Sequence, residues 1–227
     1  MLTAVLDLVL PQTCAGCEAK GARYCAACVA ELTAAPARQP QESLLPGVPD
    51  CWSAAPYEGA VRRAVLAYKE RGAVALAGVL AEAATFTAVT AIASTGAWRP
   101  HERVAVVPVP SSRRTLRGRG HDPVSRLAGL VARQLRAFGW RAEPWAALRQ
   151  ARSVADQAGL SSTQRVANLA GSHQVAISAN GPPAPCALLL DDIVTTGATL
   201  LEAARALGAA GVRVPLAVTV AATRRRS

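Results

Sequence analysis

Leu188-Leu189-Leu190-Asp191-Asp192-Ile193-Val194-Thr195-Thr196-Gly197-Ala198-Thr199 is the stretch that decides how this 227-residue chain is read. An apolar run of strand composition ends in two carboxylates. A loop of small hydroxyl residues with one glycine follows, and then a helical pattern begins. Free backbone N–H groups at a helix start, helped by the hydroxyls of Thr195, Thr196 and Thr199, make an anion cradle that runs through Ala198. Gly197 permits a turn with positive φ and lets a phosphate approach the backbone. Asp191 and Asp192 can accept hydrogen bonds from vicinal ribose hydroxyls, so a sugar with a 5-phosphate fits the run end to end. The carboxylates could instead hold Mg²⁺ directly. A helix start with acidic dipole partners and threonine caps accounts for each residue singly, but not for the full run.

Outward from this stretch, strand-like and helix-like segments alternate. Strands are expected at 51–55, 103–109, near 141–147, at 174–178, 186–190 and 213–220. Helices are expected at 58–71, with Val61, Val65 and Tyr68 on one face and Gly72 as the stop, at 73–93, at 124–138 and at 198–209. Strands separated by helices imply an α/β fold whose parallel sheet is covered on both faces. Such sheets bind ligands at the carboxyl ends of their strands, at a topological switch point. Residues 33–50 hold four prolines and read as a linker, which divides the chain into a module at 1–32 and a main domain at 51–227.

The module carries Cys14, Cys17, Cys25 and Cys28 as C-x2-C-x7-C-x2-C, with Gly16 and Gly21 where tight turns are needed. Two such knuckles can place four thiolates around one Zn²⁺, a structural site because no position is left for substrate. A pair of disulfides or redox CxxC motifs is the other reading of this spacing. Cys51 and Cys186 stand alone beside expected strands and read as small core residues.

Apolar residues make up 51% of the chain, which excludes wholesale disorder. The formal charge is +10, and apart from Lys20 and Lys69 every basic residue is arginine. Arginine dominance suits bidentate recognition of phosphate or carboxylate, although a GC-rich coding sequence produces the same bias. The charge points to phosphorylated metabolites or nucleic acid. Residues 1–10 are apolar but lack a basic leader and are interrupted by Asp7. Residues 73–93 have the length of a membrane span, yet they are rich in Ala and Thr and carry Glu82. A buried helix, no membrane insertion and a cytoplasmic location are therefore expected.

Two polar segments complete the inventory. In 107–120 (VPVPSSRRTLRGRG), Pro108 and Pro110 end a strand, and Arg113, Arg114, Arg117 and Arg119 follow within seven residues. That is a small polyanion trap, or a solvated basic loop, or a nucleic-acid contact. The segment from Arg152 to Asn168 is short of apolar residues and holds a capping-box pair, Ser161 with Gln164.

The stretch 188–199 resembles the 5-phosphoribosyl 1-pyrophosphate (PRPP) loop of type I phosphoribosyltransferases. Four further features resemble the ComF family: the cysteine pairs Cys14 to Cys28; Tyr57, Val61, Arg62 and Lys69; Val107-Pro108-Val109-Pro110; and Arg152, Gln157, Arg165 and Asn168. The resemblance runs in order over nearly the whole chain. It implies a type I phosphoribosyltransferase fold behind a zinc-ribbon-like module. It also implies Mg²⁺-dependent displacement of pyrophosphate from PRPP by an unnamed nucleophile. Asp191, Asp192 and Arg152 would be catalytic, Thr195 to Thr199 and Lys69 would bind PRPP, and Arg113, Arg114, Arg117 and Arg119 would receive the pyrophosphate. Residues 152–168 would form the mobile catalytic flap. Family members are linked to DNA uptake, so the resemblance also admits a non-catalytic accessory protein that senses nucleotide or PRPP, or that binds single-stranded DNA or the uptake machinery. The family's usual Arg-Gly-Phe-Asn-Gln is replaced here after Arg119-Gly120 by His121-Asp122-Pro123.

Overall fold

A computed structural model of the chain describes residues 12–99, 101–110, 122–150, 171–176 and 182–224. The strands are β1 (Ala37–Arg38), β2 (Asp50–Pro56), β3 (Arg103–Pro108), β4 (Arg141–Pro144), β5 (Leu148–Gln150), β6 (His173–Val175), β7 (Cys186–Val194) and β8 (Arg213–Ala222). The helices are α1 (Ala26–Thr33), α2 (Gly59–Glu70), α3 (Ala77–Thr95), α4 (Pro123–Ala137) and α5 (Ala198–Ala209). Six strands form one sheet in the order β1-β2-β8-β7-β3-β4, while β5 and β6 pair separately. All neighbours in the large sheet are parallel except β1, which runs antiparallel to β2.

Alternation along the strands builds two cores. Leu188 and Leu190 of β7 join Val104, Val106, Leu216 and Val218 against α2, α3 and α4. Ala187 and Leu189 join Ala105, Val107 and Ala217 on the opposite face, covered by α5. The result is a mixed α/β architecture with a largely parallel sheet between helices, and strands buried on both faces are why these segments read as continuous apolar runs.

Each helix follows from its local sequence. In α2 the stripe Val61, Val65 and Tyr68 is buried, as its spacing requires. In α3 the buried side chains are mostly alanine, which lets α4 approach closely, and Thr85 donates to Gln134 Oε1 at 2.6 Å across that contact. Gly96 ends α3 in the left-handed conformation, φ 63°. The segment Val74–Thr95 has a mean hydropathy of 1.7, with 61% of its most apolar window buried inside the fold, the pattern of a core helix. The start of α4 is set by Asp122-Pro123. Pro123 takes a first-turn position where its missing N–H costs nothing, and the Asp122 carboxylate accepts from the N–H groups of Val124 and Ser125.

Several boundaries differ from the sequence-based expectation, among them the start of α3 at Ala77 rather than 73 and the end of β8 at Ala222. The strand expected to stop at Leu190 continues to Val194, because β8 runs alongside and pairs Asp191 with Thr219 and Val194 with Ala222. The strand expected near 141–147 breaks at Pro144, which has no N–H for a further ladder bond, and Leu148–Gln150 pairs with β6 instead. The strand expected at 174–178 is His173–Val175, and residues 177 and 178 lie outside the described residues.

Residues 33–50 are packed along much of their length. Arg38 pairs with Asp50 at 2.6 Å, Leu44 and Val48 are buried in the α5-side core, and Leu45 N–H donates to Thr196 O at 2.9 Å. The cysteine module is docked as well: Leu32 is fully buried in the α2-side core, and Arg63 Nε donates to Gly16 O.

Candidate functional site

From β3 the chain passes outward to β4, and it later returns as β7 on the other side of β3. The strand order therefore reverses between β3 and β7, and their carboxyl ends flank a switch point where ligands bind in such sheets. Asp191 and Asp192 sit there, on the last turns of the β7 ladder. Strand alternation sends their side chains to opposite faces. Asp192 is buried on the α2 face and is held by Lys69, whose Nζ lies 3.0 Å from Oδ1 and 2.7 Å from Oδ2. Burial alone would lower the Lys69 pKa, but the Asp192 and Asp191 charges outweigh it and hold the amine above its ordinary value. Tyr57 stands near this pair, with the Arg62 guanidinium 6.0 Å from its ring centroid.

Asp191 faces the cradle. Desolvation, and then the Asp192 charge, push its carboxyl well above the usual carboxylate range. It lines a small concavity of about 20 Å³ together with Thr195, Thr196, Gly197, Ala198 and Thr199, room for one compact polar group. Gly197 is the N-cap residue of α5 and supplies no side-chain cap, so no cap side chain takes the first N–H groups of the helix. Thr196 Oγ1 is buried and, among the described residues, has no hydrogen-bond partner. An anion oxygen in the cradle would satisfy it.

Gly197 has φ 76°, as the turn reading requires. The space its Cβ would enter, however, is filled from behind: Val48 carbons would lie 2.8 and 3.1 Å away, and Leu44 Cδ2 3.5 Å away. The glycine is demanded by backbone conformation and by the strap at 44–48, in addition to any phosphate in front. Nothing in the Pro-rich composition of 33–50 signalled this contact; the buried pair Leu44 and Val48 was the available hint.

A second cluster holds the far side of the cradle helix. His173 N–H donates to Glu202 Oε1 at 3.1 Å, Glu202 pairs with Arg205 at 2.7 Å, and Arg205 Nη2 reaches His173 O at 3.3 Å. The α5 helix therefore also anchors β6, the strand that follows residues 151–170. Burial lowers the His173 pKa.

The four cysteines converge as the spacing implies, with all sulfurs within 4.8 Å of one another. Cys14 and Cys28 Sγ are 3.7 Å apart and Cys17 and Cys25 Sγ 3.5 Å apart. These distances are too long for disulfides, at about 2.05 Å, and close to the roughly 3.8 Å between sulfurs bound tetrahedrally to one ion at about 2.3 Å. Burial would raise the Cys14 pKa, but the N–H groups of Cys17, Cys25 and Gly16 turn toward its sulfur and bring it down to about 6. A Cβ on Gly16 would meet Cys28 Sγ at 2.7 Å, so the first knuckle tolerates only glycine there. The cluster could hold a structural metal such as zinc.

The remaining expected site residues, Arg113, Arg114, Arg117, Arg119 and Arg152, lie outside the described residues, as do His121, Gln157, Arg165 and Asn168. Chain connectivity places the first four between Pro110, at the β3 end of the switch point, and Asp122. It places Arg152 between β5 and β6. No protein-family model matches the chain, and no curated protein matches it either.

Proposed function

We propose that the chain is a type I phosphoribosyltransferase of the ComF kind, which binds PRPP with Mg²⁺ and transfers the phosphoribosyl group to a nucleophile with release of pyrophosphate. The observation that carries this reading is the uncapped start of α5, lined by Thr195 to Thr199, directly beside two acidic residues at a switch point. The 5-phosphate would take the N–H groups at the helix start and the orphaned Thr196 hydroxyl. Asp191 would accept from the ribose hydroxyls. Lys69 would fix the Asp192 carboxylate, so that negative charge stands under a ribose ring that becomes cationic as its C1–oxygen bond breaks. The bond's electron pair leaves on pyrophosphate, which Arg113, Arg114, Arg117 and Arg119 would receive. Bound Mg²⁺ would neutralise pyrophosphate charge, and Asp191 is the carboxylate available to it. In the module, Cys14, Cys17, Cys25 and Cys28 would hold one structural Zn²⁺.

Calorimetric titration with PRPP and Mg²⁺, run beside short single-stranded DNA, tests the reading. PRPP should bind, and Asp192→Asn should weaken it at least tenfold, about 1.4 kcal/mol. No PRPP binding, with tight and salt-sensitive DNA binding, would replace the enzyme by an accessory protein of DNA uptake. Elemental analysis should find one zinc per chain, lost in Cys28→Ser. Because Leu32 is buried in the α2-side core, loss of the metal should lower the melting temperature of the whole protein rather than fray the module alone.

A further inference from the structure

We propose that the amino-terminal edge of the sheet carries a second ligand site, one that takes a nucleoside phosphate, with its phosphate on arginines and its base against Trp140. Strands β3 and β4 are parallel and both begin with arginine, Arg103 lying directly beside Arg141. Neighbouring guanidinium groups repel each other, and no ion pair among the described residues includes either of them. Arg136 arrives from the last turn of α4. It commits one N–H to Ala142 O at 2.7 Å and keeps its other donors. These three arginines line an open cleft of about 620 Å³ with Trp140 and Glu143, a volume within the range of small-molecule sites.

The aromatic component gives the ligand its class. Trp140 is half-buried: part of it packs on the α2-side core and it also lines the cleft. Phe138, two residues earlier in the same turn, is 69% exposed. Arginine forks recognise phosphate bidentately, and an aromatic face beside them takes a base by stacking. Glu143 can accept N–H donors from a base edge and disfavours a dense polyphosphate. Arginines on an edge strand also discourage pairing with another sheet. That role accounts for Arg141 alone, not for a third arginine from a helix or for Trp140 in the lining of the cleft. Strand rise puts Arg103 about 20 Å from the level of Asp191, so this site and the cradle occupy opposite ends of the sheet.

The experiment uses the full chain and calorimetric titration with adenosine 5′-monophosphate, ribose 5-phosphate and an eight-nucleotide oligothymidylate. One of the two base-bearing probes should bind. Its affinity should fall at least tenfold in Arg103→Gln with Arg141→Gln and in Trp140→Leu, and recover in Trp140→Phe. Ribose 5-phosphate, which has no base, should be insensitive to Trp140→Leu. Binding of the mononucleotide identifies free nucleotide as the source, and binding of the oligonucleotide alone identifies a unit within a single strand. The proposal is overturned if neither probe binds, if binding survives the double arginine variant, or if it is lost in Asp192→Asn instead. The arginine pair is exposed, so that variant decides the matter even where Trp140→Leu fails to fold.

Discussion

Two helices of this protein begin in opposite ways. At α4 the chain seals its own N-terminus: Asp122 accepts from two first-turn N–H groups, Ser125 Oγ adds a bond of 2.9 Å to the same carboxylate, and Pro123 removes a third donor. At α5 no side chain caps the start, and the residue in the cap position is a glycine at φ 76°. Its back is closed by Leu44, Val48 and the Leu45 N–H bond to Thr196 O, while its front stays open. Every helix start must satisfy its orphan donors. Under the proposed function, a start that is supported from behind and uncapped in front is where the ligand's phosphate would satisfy them. The comparison separates a helix start sealed by its own side chains from one that no side chain seals.

Gly197→Val should break the open start and give the largest effect. A branched side chain in left-handed conformation costs about 1–2 kcal/mol, and a Cβ 2.8 Å from Val48 forces the strap outward, adding about 1–3 kcal/mol. Thermal unfolding should shift down by roughly 5–15 °C for a chain of this size, and PRPP affinity should fall more than tenfold. Gly197→Ala paired with Val48→Ala should regain part of the stability. A Gly197→Val protein that melts and binds as the parent does would mean that the strap and the cradle are not coupled.

Asp191→Asn should sharpen the contrast by moving stability and binding in opposite directions. The folded-state pKa of Asp191 is raised above its unfolded value, so the folded state holds this proton more tightly. That contribution is present at low pH and is lost as pH rises from about 4 through the raised value. Above that raised value the ionised carboxylate is a cost, offset in part by its attraction for Lys69. Removing its charge should raise the melting temperature by a few degrees and weaken PRPP binding. A lower melting temperature at pH 7, converging with the parent as pH falls, would show that the carboxylate is stabilising as it stands.

Much of this arrangement was legible in the residues, for physical reasons. The parallel sheet followed from apolar strands buried on both faces, and the convergence of Cys14, Cys17, Cys25 and Cys28 followed from knuckle spacing. The turn at Gly197 followed from a glycine between hydroxyl residues and a helical pattern. What the sequence hid was contact between distant segments. A sequence separation of 123 between Lys69 and Asp192 carries no signal that the two form an ion pair. Residues 33–50 look like a linker because prolines dominate their composition, yet two aliphatic side chains decide their packing. The end of β7 was misplaced because two carboxylates look like a strand terminus, whereas the neighbouring β8 ladder extends the strand past them. Asp122-Pro123 has a local explanation as a helix cap.

That local explanation yields the smallest effect and the cleanest control. Asp122→Ala removes the acceptor for Val124 and Ser125 N–H and leaves the proline in place. Loss of such a cap costs about 1 kcal/mol, or roughly 2–4 °C in a chain of this size. Tyr68 donates to Pro123 O at 2.8 Å, so a loosened first turn of α4 would be felt by α2. Fluorescence or circular dichroism should detect the shift in unfolding. PRPP affinity should stay within about twofold, because this helix start binds its own carboxylate rather than a ligand. A tenfold loss of PRPP affinity in Asp122→Ala at unchanged stability would place Asp122 in the binding site, and the distinction between a sealed start and an open one would fail at the sealed end.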